Sequence, residues 1–213
     1  LLTDWDFSEY DTAIEEFIRK REAPWLTIYR TNGHVMHLLK LANGITYSFQ
    51  PPESVGADDS GQKPALPRWK QVSKEEYLRL VADYFDALAE HLHQKGCLAK
   101  ALYVIDESDP STYEFIYDYV QALRQRKYAS QIKIANTTYH TSTYTRRLPN
   151  GNLLMDEVLD IPIPENNDHF NFFDPECDAR MKRPGKQFWV YYTESDHLDL
   201  LNAGLSTILT PLK

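Results

Sequence analysis

Residues 84–107 read YFDALAEHLHQKGCLAKALYVIDE, and no other stretch restricts the fold as tightly. An amphipathic helix runs into Gly96, a short apolar strand follows, and the strand ends on two adjacent carboxylates, Asp106 and Glu107. Upstream, Ser73-Lys74-Glu75-Glu76 has the form of a capping box, in which a hydroxyl and a carboxylate satisfy orphan donors of the first helical turn. Tyr77, Leu80, Val81, Tyr84, Phe85, Leu88 and Leu92 then recur at helical spacing. Gly96 suits the left-handed cap that ends many helices. The unbroken apolar run from Ala101 to Ile105 is what a parallel strand covered on both faces requires.

The same alternation extends along the chain. Ser8 to Glu22 reads as a helix with Ile14, Phe17 and Ile18 on one face, stopped by Pro24. Trp25 to Tyr29 reads as a strand, and His34 to Phe49 as a hairpin turning at Asn43-Gly44. Pro51 to Arg68 is a long Pro-, Gly-, Asp- and Ser-rich loop, read equally as a substrate-shaping loop or as an insertion. Asp109-Pro110 opens the next helix, whose apolar face is Tyr113, Ile116, Tyr117, Val120 and Leu123. Gln131 to Thr137 is a strand, Pro149-Asn150-Gly151 a turn, and Glu157 to Ile163 a further strand. Asp174-Pro175 signals another helix start, and Gln187 to Thr193 a strand rich in aromatics. Helix and strand in turn imply parallel strands joined by helical crossovers.

Composition removes several classes of function. The net charge of −8 argues against a phosphate backbone as partner, so nucleic acid is not expected. No apolar window is long enough to span a membrane. No Cys/His cluster has zinc spacing, and neither a phosphate-binding glycine loop nor a Gly-x-Ser-x-Gly elbow occurs. His34 and His37 fall on opposite faces of a strand, and His91 and His93 diverge on a helix, so neither pair suits a metal. Aromatic residues make up 13% of the chain, a supply of flat faces on which sugar rings pack, although most such residues fill cores and edges. The 213 residues form one domain, 1–213. That is somewhat short of the ~250 of a closed α/β barrel. A start on a helix and a stop near Pro211 point to an excised portion lacking at least one strand at each end of a closed barrel.

At Asp106-Glu107 the chain resembles the catalytic core of family-123 glycoside hydrolases. The shared pattern is a helix ending in His91-Leu92 and Lys95-Gly96, a short strand, and the Asp-Glu pair. Phe188-Trp189-Val190-Tyr191-Tyr192-Thr193 is similar to the family's aromatic strand with its Trp-x-Tyr signature. Ser108 stands where most relatives have Pro, and Cys97 where they often have Trp, the marks of a divergent member.

The resemblance implies a (β/α)8 barrel of the TIM type that removes terminal β-linked N-acetylhexosamine, N-acetylgalactosamine first among candidates. It implies a glycan substrate, no cofactor, and a secreted or periplasmic setting, since relatives degrade external glycans. It also implies substrate-assisted catalysis, in which the sugar's 2-acetamido oxygen attacks the anomeric carbon. Glu107 is then the general acid and later the base, while Asp106 holds the acetamide N–H and stabilises the oxazolinium cation. A neighbouring anion and apolar walls favour a protonated Glu107. Alternation sends consecutive strand residues to opposite faces, so both can reach one pocket only if the strand ends or bends there.

Further candidates lie at expected strand ends. Tyr139 and His140 follow the 131–137 strand, where they either contact the sugar or form an ordinary aromatic loop. Trp189 and Tyr191 share a face, with Tyr191 the better site residue by the Trp-x-Tyr signature. Trp69 closes the long loop, as its anchor or as a stacking platform. Two further possibilities are a glycosidase for a sugar without the acetamido group and a non-catalytic carbohydrate-binding barrel.

Overall fold

The computed structural model describes residues 5–29, 38–40, 46–48, 69–105, 112–138, 147–164, 187 and 189. Its centre is a parallel sheet of four strands, β1 (Leu26–Tyr29), β5 (Ala101–Ile105), β6 (Lys133–Thr138) and β7 (Ile161–Pro164), in that spatial order. Three shorter strands, β2 (Leu38–Lys40), β3 (Thr46–Ser48) and β4 (Trp69–Gln71), make a second sheet between β1 and the helix that follows. β2 and β3 are antiparallel, as a hairpin requires, while the Asn43-Gly44 turn lies outside the described residues.

The α-helices among the described residues are α1 (Ser8–Ala13), α2 (Lys74–Gln94), α3 (Tyr113–Arg124) and α4 (Leu154–Val158). The Ser73 hydroxyl accepts the Glu76 N–H at 3.1 Å, so the hydroxyl half of the capping box is in place. Gly96 ends α2 at φ +72°, a conformation that glycine adopts without penalty. Gly151 at φ +85° closes the expected turn, with its N–H on the Leu148 carbonyl. The described part of α3 starts at Tyr113, and Asp109-Pro110 lies outside the described residues, as does Asp174-Pro175.

Two expectations are corrected. After Ala13 the first helix widens into a π-helical segment, Ile14–Arg19. Its wider turn keeps Ile14 and Ile18 toward the core but swings Phe17 outward, to 48% exposure beneath the Arg21 guanidinium. The strand expected from Glu157 is instead α4 followed by β7. Leu154 and Val158, both buried, stand one helical turn apart, and a parallel β6–β7 pair needs a crossover between them.

β5 and β6 contribute to two layers. Leu26, Ile28, Ala101, Tyr103, Ile105, Ile132 and Ile134 face the helices in one large core with Phe85, Leu88, Leu92, Ile116 and Val120. Phe85 sits 4.8 Å from the Tyr103 ring. Leu102, Ala135, Ile161 and Ile163 form a second cluster on the opposite face, which no described helix covers, joined by Trp25, Val104 and Trp189. The sheet curls toward that face. Trp189 donates its N–H to Pro162 beyond β7, yet its ring lies 5.9 Å from Trp25 beside β1. In a flat sheet those positions would be four strand spacings, roughly 19 Å, apart.

The amino ends of the strands are tied by polar contacts. Arg124 bonds Asp160 at 2.7 Å and the Ser130 and Ile132 carbonyls, while Asp160 accepts the Ile134 N–H. Asp86 accepts the N–H groups of Tyr128 and Ala129 where the chain turns into β6.

Candidate active site

Because the four central strands are parallel, Tyr29, Ile105, Thr138 and Pro164 end them along one edge. In α/β folds that edge carries the chemistry, while the opposite edge serves stability. The Arg124–Asp160 network lies at the opposite edge. Asp106 and Glu107 follow Ile105 in the chain with no intervening residue, and Tyr139 and His140 follow Thr138 in the same way. These four and Tyr191 lie outside the described residues.

The strand that leads to the acid pair is rigid for a clear reason. β5 is the second of four strands, hydrogen-bonded on both sides, and four of its five side chains are buried. Its last carbonyl, that of Ile105, accepts a 2.8 Å hydrogen bond from the Asn136 side-chain amide. Asn136 is fully buried and pairs with Ile105 in the β5–β6 register. A buried amide in an apolar layer costs free energy unless it is hydrogen-bonded, so this contact fixes the peptide that precedes Asp106. Asn136 was not among the residues picked out above. Its signal was present as a lone amide directly after the apolar Ile134-Ala135 run.

Two other candidates have described positions. Trp189 is half-buried on the face opposite the described helices, packed against Trp25 and the second apolar cluster. Lys133 places its ammonium 5.7 Å from the Trp25 ring, so the floor of that face combines two indoles and one cation. Trp69 is the first residue of β4, in register with Thr46. The structure therefore brings Trp189 to the concave face of the central sheet and Trp69 to the small sheet.

The motif residues His91 and Lys95 stand elsewhere, at the last turn of α2. Both reach Asp11 of α1, His91 Nε2 at 2.7 Å and Lys95 Nζ at 3.0 Å. The Lys95 ammonium first, and His91 second, hold the Asp11 carboxyl below the usual carboxylate range. Phe7 lies 5.2 Å from the His91 ring. This end of the motif ties two helices together, at the end of the layer away from Ile105, where β5 ends.

Among the described residues, no group of His, Cys, Asp and Glu side chains is arranged to hold a metal ion. No described helix is long and apolar enough to cross a membrane. Residues 24–205 match the family model described as glycoside hydrolase 123, catalytic domain. The match spans the ends of β5 and β6, the acid pair and the aromatic run 188–193, of which only Trp189 is among the described residues. Neither the curated proteins nor the solved structures yield a match.

Proposed function

From the premise that the chain belongs to the glycoside hydrolase 123 family and is a glycosidase acting on a carbohydrate, we propose a specific reaction. It is the removal of a terminal β-linked N-acetylhexosamine, N-acetylgalactosamine first, with retention at the anomeric carbon. The sugar's acetamido oxygen attacks that carbon as the glycosidic C–O bond breaks, and Glu107 gives its proton to the departing oxygen. Asp106 accepts the acetamide N–H and balances the positive oxazolinium ring. Water then adds at the anomeric carbon and returns a proton to Glu107, opening the ring. Adjacent carboxylates fit this route better than a direct displacement, which needs carboxyls about 5 Å apart across the scissile bond.

The observation that carries this reading is the family match over 24–205, which includes Asp106-Glu107 directly after a buried, pinned strand. The curl of the sheet supports a (β/α)8 barrel as its setting. The central strands lie side by side in chain order, the described core helices pack on one face, and the indoles of Trp25 and Trp189 meet across the other. A doubly wound sheet would instead carry helices on both faces.

Hydrolysis of aryl β-N-acetylgalactosaminide by the purified protein is the direct test. Glu107→Gln is expected to lose most turnover on substrates with poor leaving groups and less on activated aryl glycosides. Asp106→Asn is expected to slow both. A thiazoline mimic of the oxazolinium should inhibit competitively. Normal turnover in both variants, or indifference to the thiazoline alongside activity on sugars lacking the acetamido group, would overturn the proposal.

A further inference from the structure

A cleft of about 210 Å³ lies between α2 and the small sheet, lined by Trp5, Tyr47, Lys70, Glu76, Arg79, Leu80 and Asp83. One wall is a single helical stripe, because Glu76, Arg79, Leu80 and Asp83 follow the spacing that aligns side chains on one face. The other wall is the small sheet, on which Tyr47 and Lys70 are register partners in the β3–β4 pair. Trp5 closes the cleft from the chain's first described residues and rests edge-on against Tyr84 of α2.

The chemistry of the lining narrows the occupant. Among the described lining residues two cations, Lys70 and Arg79, face two carboxylates, Glu76 and Asp83, and this balance gives a phosphate or a metal ion no net charge to meet. With four of the seven lining side chains charged, the site does not suit a purely apolar ligand. What fits is a neutral molecule with many hydroxyls and flat C–H faces. Two aromatic residues offer surfaces for such faces, and the charged groups can both donate and accept.

Several of those groups are already held in place. Asp83 is gripped by Arg79 at 3.2 Å and by Arg126 at 2.6 Å. The Lys70 ammonium sits 5.5 Å from the Tyr47 ring centroid. Pre-fixed partners reduce the ordering cost of binding. The volume falls below the roughly 300–1,000 Å³ of sites that engulf drug-sized ligands, which limits the occupant to about one ring.

The cleft runs along α2 from the working edge, at Glu76, toward the opposite edge, where Arg126 grips Asp83. The last turn of α2 leads through Gly96 into Ala101, the amino end of β5. Over its 21 residues α2 rises about 31 Å. Its first turns therefore lie toward the carboxyl ends of the strands. Tyr77 confirms this by meeting Phe115 in the first turn of α3, 6.3 Å between rings.

We propose that this cleft is a distal saccharide subsite, which holds one sugar ring of the glycan away from the bond that is cut. The proposal rests on the glycosidase family and not on the roles of Asp106 and Glu107. It is tested on the full chain by NMR, following the Trp5 indole N–H and the Tyr47 ring. The probe is a trisaccharide ending in β-linked N-acetylgalactosamine whose linkages are sulfur-bridged and resist hydrolysis, titrated into the unaltered protein.

Saturable shifts at Trp5 and Tyr47 are expected. Lys70→Ala and Arg79→Ala, each checked for native circular dichroism, should weaken them by about tenfold. Trp5 and Tyr47 signals unmoved at saturating trisaccharide, or shifts that both alanine variants leave unchanged, would overturn the subsite. Hydrolysis by the unaltered protein is read separately, so loss of the catalytic reading would leave this result standing.

Discussion

Asn136 shows how much can depend on one amide. It spends its side chain on the backbone of a neighbouring strand, at the carbonyl directly before the acid pair. Asn136→Leu keeps much of the volume but removes the donor. The expected cost is about 1–3 kcal/mol, read by urea denaturation. If the contact also aims the acid pair, kcat on an aryl glycoside should fall while KM stays near its original value; a purely structural role would leave kcat per folded molecule unchanged. Cys97 makes a contrasting case. Burial pushes its thiol up, and its Sγ leans on the Leu92 carbonyl, so it is a poor nucleophile. Iodoacetamide labelling of the Cys97 peptide, read by mass spectrometry, should be far slower in the native protein than in urea.

At the scale of elements, the contact between α1 and α2 carries a pH signature. Asp11 is held below its ordinary value by Lys95 and His91, so its native pKa lies under the unfolded one. Stability from such a group is present above the unfolded value of about 4 and fades as pH falls through the native value. Asp11→Asn should therefore be less stable than the parent at neutral pH, and the two unfolding curves should converge as pH drops below about 4. Ser73→Ala should cost about 1 kcal/mol at the start of α2, seen as a lowered Tm. Most elements were legible because their signals are local. The Ser73 cap, Gly96 and the stripe from Tyr77 to Leu92 announce α2 within its own sequence. Less legible were α4, whose five residues are too short for a helical period to declare itself, and the π-helical widening that turns Phe17 outward. Both depend on packing between elements. Asn136 was missed for the same reason, since its partner is 31 residues away. His91 and Lys95 were legible as a pattern, but their role in joining two helices needed the position of Asp11.

For the molecule as a whole, curvature is the property that local patterns could not convey. Alternation predicts parallel strands with crossovers, but the meeting of Trp25 and Trp189 depends on how far the sheet bends. Trp189→Ala should loosen β1 and β7 together, measured as faster amide exchange in both segments while α2 and α3 stay protected. Faster exchange confined to residues around 189 would mean that the two indoles do not couple the sheet's edges. The strand order has a further consequence, for biosynthesis. Each described strand of the central sheet docks on the one made before it, so none of these four has to thread between two earlier ones. A nascent chain that has cleared the ribosome as far as Thr138 already contains β1, α2, β5, α3 and β6, the greater part of the helix-facing core. The protein can thus fold in the order in which it is translated, with its aromatic face closing last.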